Sequence, residues 1–178
     1  MPKLSMRRVS FFVLLVCSLL SGSFGQQRKQ AQLTLRNLTR QSGHIFVGRV
    51  TAIDYVTPNT PNQVATMRVT FHVEQAFRGT RAGTTFTVRE WAGVWTEGEG
   101  YRVGERVLLF LHPRSKLGLT SPVGGSQGRF ALDKDGQVLI GLERPALLEP
   151  DQTLPRLKNR VPLRDFSRAI RRAQLYEE

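Results

Sequence analysis

The chain has 178 residues, of which 40% are apolar, and it carries a formal net charge of +12 at pH 7. This length suits one domain with an ordinary hydrophobic core, and the single cysteine excludes a disulfide framework. The positive charge favours contact with anionic surfaces, although the basic residues are scattered rather than gathered in one long run, as is typical of a solvated surface.

The first 25 residues are predicted to form a secretory signal peptide. A basic start over residues 3–8 is followed by a mainly apolar run over residues 9–20 and by small residues ahead of a cleavage point after Gly25. Because a membrane-spanning helix needs about 20 apolar residues, we expect cleavage and no membrane span in the mature chain. A retained membrane anchor and a lipid on Cys17 are the alternatives. The predicted location is secreted or periplasmic.

Residues 26–43 are predicted to be a polar N-terminus followed by a short helix. Leu35 and Leu38 lie one helical turn apart, and Gly43 is placed to end the helix. From His44 the pattern becomes that of a strand, because HIFVGRVTAIDYV is rich in β-branched and aromatic residues. Gly48 in the middle of this run predicts a bulge or a sharp bend.

The two following strands carry apolar residues on one parity and polar residues on the other. In MRVTFHVEQAF the residues predicted to face the core are Met67, Val69, Phe71, Val73 and Phe77. In TTFTVREW the inward residues are Phe86 and Val88, whereas Thr85, Thr87 and Arg89 are predicted to face outward. Each strand is therefore expected to have one buried face and one wet face.

The rest of the chain contains one more long apolar strand and several shorter elements. RVLLFLH is apolar on both parities and is predicted to be a central strand covered on both sides. RFAL-DKDG-QVLI is predicted to be a hairpin with Asp135 and Gly136 in its turn. Residues 142–161 are predicted to be a proline-rich connector, and residues 162–178 a helix. The apolar face of that helix is formed by Leu163, Phe166, Ile170 and Ala173.

Together these elements predict a mainly β fold. Five to seven strands over residues 44–141 are expected to form a small β-barrel, with a short N-terminal helix and a C-terminal amphipathic helix beside it. Strand pairing alone equally permits a sandwich of two sheets. The order of the strand segments is what favours the barrel.

That order resembles the netrin-like module. HIFVGRV, VTFHVEQAFRG, TTFTVRE, YRVGERVLLFL and LGLTSPVGGSQGRF follow one another as they do in the OB-type barrel of the tissue inhibitors of metalloproteinases and of many bacterial secreted proteins. The resemblance covers roughly Leu35 to Phe130. It implies an OB-like barrel and a role beside extracellular peptidases.

The departures from this family matter for function. The metalloproteinase inhibitors chelate the catalytic zinc through an amino-terminal cysteine, whereas the predicted mature chain begins at Gln26 and has no cysteine. Inhibition by that route is therefore not expected. Val123 stands where relatives often place a cysteine, and apolar packing between it and the segment around Trp91 is expected to replace the crosslink.

Nothing in the sequence predicts a catalytic, metal or cofactor site. The mature chain offers no cysteine nucleophile and no GxSxG elbow. His44, His72 and His112 fall on separate strands, and DKDG lacks the acid that a calcium loop needs at its twelfth position, which is Arg144. We expect a protein that is not an enzyme and has no cofactor, with a zinc-dependent or other hydrolase as the weakest alternative.

The stretch WAGVWTEGEGY holds the candidate binding residues. They are Trp91, Trp95, Tyr101, Arg89 and Arg102. Exposed aromatics beside arginines are used by OB-type barrels to stack sugars, bases or side chains of a partner. The other interpretation is that an indole folds over the end of the barrel as a lid. The outward parity favours binding for Trp91, whereas the lid is favoured for Trp95.

The expected function is that of a secreted, non-enzymatic binding module for an extracytoplasmic protein, such as an extracellular peptidase. The alternative is a binder of anionic polysaccharides or other polyanions through the basic surface. Nucleic acid is not an expected partner of an exported protein. Salt separates the two hypotheses, because only polyanion binding weakens steeply with ionic strength.

Overall fold

The computed structural model describes residues 33–58, 60, 64–95, 100–141 and 159–175. The predicted signal peptide and almost all of the predicted connector over residues 142–161 lie outside these described residues. The described part of the chain contains a five-stranded antiparallel sheet, a two-stranded sheet and two helices. The mainly β class predicted from the sequence is confirmed.

Most element boundaries follow the sequence pattern closely. The elements are α1 (Leu35–Gln41), β1 (His44–Val56), β2 (Thr66–Arg78), β3 (Thr85–Trp91), β4 (Arg106–Leu111), β5 (Arg129–Ala131), β6 (Gln137–Leu139), β7 (Arg160–Pro162) and α2 (Leu163–Leu175). Helix α1 begins after Thr34, whose hydroxyl accepts a hydrogen bond from Asn37 N at 3.2 Å. It buries Leu35 and Leu38, as predicted.

The main sheet has the strand order β3-β2-β1-β4-β5. Its edge strands β3 and β5 do not pair, so the sheet is not closed into a barrel and the predicted closure was wrong. Strand β5 has three residues, and the free edge of β3 contacts the segment after β4 instead. Thr120 N donates to Arg89 O at 2.9 Å, and Arg114 Nη2 donates to Thr87 O at 2.7 Å. Loop contacts thus take the place of a strand pairing at this edge.

The pairing of β1 with β2 is irregular, and the predicted bulge at Gly48 is confirmed. The register shifts between Val47 and Gly48, where β2 carries Glu74 without an opposing residue. This extra residue moves the rest of β2 to the other parity. Phe77 therefore packs on the opposite side of the sheet from Phe71, although the sequence pattern placed both on one face.

Two hydrophobic clusters lie on the two sides of the sheet. The helix-side cluster is formed by both helices, by β5 to β7 and by alternate residues of β1 and β4, and it includes Leu38, Ile45, Phe110, Phe130, Phe166 and Ile170. The strand-side cluster contains no helix residue and includes Phe46, Val69, Phe71, Val88, Tyr101 and Leu109. Strand β4 contributes Leu108 and Phe110 to the first cluster and Leu109 and Leu111 to the second, so its predicted burial on both faces is confirmed.

The C-terminal elements pack against the helix-side cluster. Asp133 Oδ1 accepts hydrogen bonds from Asp135 N and Gln137 N, so the predicted turn is present and its carboxylate serves the backbone. Strand β6 pairs with β7, which the sequence pattern did not reveal. Helix α2 buries Phe166, Ile170 and Ala173, as its apolar periodicity predicts.

Within the described ranges, neither helix is long and apolar enough to cross a membrane.

Candidate functional site

Strand β3 turns consecutive side chains to opposite sides of the sheet at its C-terminal end. Arg89 and Trp91 are exposed, in agreement with the predicted outward parity, and Trp91 keeps 52% of its surface accessible. Glu90 between them is fully buried. Two environments with opposite properties therefore meet at three neighbouring residues.

The indole of Trp91 rests on the backbone of the following 3₁₀ turn, Ala92–Val94. A Cβ atom at Gly93 would lie 2.7 Å from the Trp91 ring, which is too close for an ordinary contact. Glycine at this position therefore allows the ring to lie against the chain while its other face remains open. The orientation of the exposed indole depends on Gly93.

A cleft of about 350 Å³ lies beside Trp91 on the outer side of the sheet. It is lined by the aliphatic side chains of Val56, Val64, Leu117 and Leu119, and by Thr66 and Arg89. Thr66 is the cross-strand partner of Trp91 in the pairing of β2 with β3. The exposed surface formed by these residues, Trp91 and Arg68 is referred to below as the Trp91 face.

Two arginines lie opposite each other on the Trp91 face. Arg68 of β2 is the cross-strand partner of Arg89 of β3, and both side chains are exposed. Arg89 Nε donates to Thr66 Oγ1 at 3.4 Å, but neither guanidinium forms an ion pair with a carboxylate of the described residues. Asp54, the other neighbour of Arg68 in this row, also forms no ion pair within the described part of the chain. Asp54 is the cross-strand partner of Arg68 and offsets part of its charge, so the row of Asp54, Arg68 and Arg89 keeps a net charge of +1, which favours an incoming anion near Arg89.

On the inner side of the sheet, the Glu90 carboxyl group accepts hydrogen bonds from two aromatic side chains that follow β3 in the chain. Trp95 Nε1 donates to Glu90 Oε2 at 3.0 Å, and Tyr101 Oη donates to Glu90 Oε1 at 3.0 Å. The two rings contact each other edge to face with centroids 5.3 Å apart, and Tyr101 also contacts Phe71. The carboxyl group thus joins the aromatic pair to the strand-side cluster.

Arg129 of β5 covers the same aromatic pair. Its guanidinium lies 5.6 Å from the Trp95 ring centroid and 5.3 Å from that of Tyr101. Its Nη2 atom also forms an ion pair with Glu105 at 2.7 Å. Glu90, Trp95, Tyr101, Glu105 and Arg129 are referred to below as the Glu90 cluster. Side-chain contacts within the cluster thus connect β3, the turn that precedes β4, and β5.

Burial raises the pKa of the Glu90 carboxyl group from its ordinary value of 4.5 to about 7. The hydrogen bonds from Trp95 and Tyr101 and the charge of Arg129 lower this pKa, but their combined effect is smaller than that of burial. The pKa of the Tyr101 hydroxyl is raised well above its usual value, first by burial and then by the Glu90 carboxylate. Glu90 therefore changes its charge near neutral pH.

Four of the five predicted binding residues are divided between the two environments, and Arg102 lies in neither. Arg89 and Trp91 lie together on the Trp91 face, whereas Trp95 is half-buried and Tyr101 is buried in the Glu90 cluster. The expectation that Trp95 is the more buried indole is confirmed. The side chain of Arg102 is exposed in the turn before β4, and its backbone N donates to Glu105 Oε2 at 3.2 Å.

Three residues of the Glu90 cluster, namely Glu90, Glu105 and Arg129, were not among the predicted site residues. Glu90 has the same parity as Phe86 and Val88, so an inward carboxyl group was visible in the alternation of TTFTVREW. Arg129 gave no such signal, because its position depends on the path of β5. The predicted packing of this segment on Val123 was wrong, since Val123 belongs to the helix-side cluster and Trp95 packs on the strand-side cluster.

A second basic surface lies along α2. Arg164, Arg168 and Arg171 line a groove of about 490 Å³ together with Leu163, Ser167 and Gln75 of β2. Gln75 Nε2 donates to Ser167 Oγ at 3.3 Å in its wall. Asp165 lies 3.5 Å from Arg164 and 3.7 Å from Arg168, and both guanidiniums remain largely exposed. This groove is a second place where an anion would be favoured.

The described residues contain no group of three or more His, Cys, Asp or Glu side chains placed to hold a metal ion. No protein-family model matches the chain, and no curated protein is significantly similar to it. The netrin-like resemblance therefore depends on the segments quoted above.

Proposed function

We propose that the protein is a secreted or periplasmic, non-enzymatic binding module that contacts an extracytoplasmic protein through the Trp91 face. The observation that carries this proposal is the gathering of exposed apolar side chains on that face. Val56, Val64 and Leu117 are more than one third exposed and line one cleft, and the exposed Trp91 is the cross-strand partner of Thr66, which also lines it. Apolar side chains grouped on a surface are typical of a protein interaction site.

The chemistry of the face supports a protein partner. Tryptophan and arginine are the residues most enriched among those that dominate binding energy in protein interfaces, and Trp91 and Arg89 lie next to the cleft. The indole already contacts the chain at Gly93, and a partner that keeps this conformation would bind it without displacing the ring.

The netrin-like resemblance supplies the proposed class of partner. On this basis the protein acts as an accessory or modulator of an extracellular peptidase, by a surface contact that needs no cysteine. OB-type barrels are commonly only partly closed. The open sheet is therefore compatible with an OB-like relationship.

Capture of a partner from the secreted fraction tests the proposal. Immobilised wild-type protein is compared with Trp91→Ala and with Leu175→Ala, which removes another large exposed apolar side chain at the end of α2. We expect capture of one protein that is lost with Trp91→Ala and retained with Leu175→Ala. Equal capture by the wild type and Trp91→Ala would contradict the proposal.

A second candidate function is polyanion binding by α2. It is favoured by the groove that Arg164, Arg168 and Arg171 line. The test is elution from a sulfated polysaccharide column, with all three arginines changed to glutamine. A variant with Arg40, Arg81 and Arg102 changed to glutamine loses the same charge elsewhere on the exposed surface. A lower salt for elution of the α2 variant alone would support this function.

A further inference from the structure

The cleft on the Trp91 face is large enough for an apolar side chain of a partner. Its volume of about 350 Å³ is close to the lower end of the range of about 300–1,000 Å³ that small-molecule pockets occupy. Four aliphatic side chains, Val56, Val64, Leu117 and Leu119, contribute to its walls. Removing these walls from water favours an apolar occupant.

The arginines at and beside the cleft favour an anionic neighbour for that occupant, since Asp54 offsets only one of the two charges. Arg68 and Arg89 oppose each other across β2 and β3, and neither has an ion pair among the described residues. A carboxylate placed between them would reduce their mutual repulsion and can accept hydrogen bonds from a guanidinium in a bidentate arrangement. Lys116 precedes Leu117 in the wall, so a further basic residue belongs to the same loop.

We propose that the cleft receives an extended segment of the partner protein in which an apolar side chain is flanked by aspartate or glutamate. The apolar side chain enters between Val64 and Leu117, and a flanking carboxylate bonds Arg89 and Arg68. This inference rests on the proposed function, since it specifies the chemistry of the partner segment at the same face. It goes further, because it excludes basic and purely polar segments.

The test uses short peptides as probes with the full isotope-labelled protein. The first probe is N-acetyl-Gly-Asp-Leu-Asp-Gly-amide, the second replaces both aspartates by lysine, and the third replaces leucine by glycine. We expect saturable NMR shift changes at the amides of Thr66, Leu117 and Leu119 with the first probe. Binding of the other two probes should be weaker by at least about tenfold, because each lacks one of the two interactions.

Two protein variants separate the apolar from the electrostatic contribution. Leu117→Ser removes an apolar wall at a residue that is 77% exposed, so the fold is expected to be preserved. The double change Arg68→Gln and Arg89→Gln removes the two charges. Each variant should weaken binding of the first probe, and the matched double change Arg40→Gln and Arg81→Gln should not.

Three results would overturn the inference. These are equal binding of the lysine probe, shift changes confined to α2, and unchanged binding to the double variant at Arg68 and Arg89. If Trp91→Ala abolishes partner capture while any of these results is obtained, the proposed function stands without the inference. If the first probe binds as expected while Trp91→Ala leaves capture unchanged, the preference of the cleft stands and the proposed interface fails.

Discussion

The Trp91 face and the Glu90 cluster are built from alternate residues of one strand, yet they differ in almost every physical property. The face has exposed apolar side chains and arginines without ion pairs among the described residues. In the cluster, the Glu90 carboxyl group is buried, and both of its oxygens accept a hydrogen bond. The aromatic stretch is therefore not one functional unit. Its outward residues are exposed to solvent, whereas its inward residues are joined to one another by hydrogen bonds.

The largest difference in stability is expected between alanine variants of a core residue and of its exposed neighbour in β2. Phe71 is fully buried in the strand-side cluster, and His72 is exposed. Phe71→Ala should lower the free energy of unfolding by about 3–5 kcal/mol, because it removes apolar contacts and leaves a cavity. His72→Ala should change it by less than about 0.5 kcal/mol. Similar losses in chemical denaturation would refute the assigned parity.

The Glu90 cluster should make stability depend on pH. The folded protein holds the Glu90 proton more tightly than the unfolded chain, because the pKa is raised from 4.5 to about 7. The stabilising contribution is therefore complete below pH 4.5 and is lost as the pH rises through 7, by about 3 kcal/mol in total.

Glu90→Gln is the matched control for this pH effect, because it removes the titrating group and keeps its shape. All other ionisable groups are common to the two proteins, so the difference between wild type and variant isolates Glu90. Relative to the variant, the wild type should lose about 3 kcal/mol of unfolding free energy between pH 4 and pH 8. Parallel curves across this range would show that Glu90 does not titrate there.

A smaller effect is expected from one hydroxyl group of the cluster. Tyr101→Phe keeps the buried ring but removes the donor to Glu90 Oε1, so a buried carboxyl oxygen loses its partner. We expect a loss of roughly 2 kcal/mol in the free energy of unfolding at pH 7. Tyr55→Phe, at a residue that is 74% exposed, should have no measurable effect. A neutral Tyr101→Phe would mean that the hydrogen bond does not hold the segment.

Much of the fold followed from the sequence because local patterns decide it. Alternation in MRVTFHVEQAF and TTFTVREW gave the buried faces of β2 and β3 correctly as far as Val73 and Val88. The predicted side of the sheet was wrong for Phe77, because a single unpaired residue, Glu74, reverses the alternation beyond it. The predicted closure of the sheet was also wrong. Pairing between β3 and β5 would depend on contacts between residues that are distant in sequence, and neither segment alone determines them.

The candidate site was predicted in part for the same reason. Parity gave the exposure of Arg89 and Trp91 and could have given the burial of Glu90. It could not predict that Arg129 of β5 lies over Trp95, or that Leu117 and Val64 line one cleft. These arrangements involve segments that are distant in sequence. The set of residues that line the cleft was therefore visible only in three dimensions.

The decisive measurement is the affinity of the Trp91→Ala variant for the captured partner, because we propose that Trp91 contributes to binding and not to folding. The variant should unfold within about 0.5 kcal/mol of the wild type. Its binding should nevertheless be weaker by roughly 2 kcal/mol, which corresponds to about a thirtyfold higher dissociation constant. An unchanged dissociation constant, or a loss of several kcal/mol in unfolding free energy, would contradict the account.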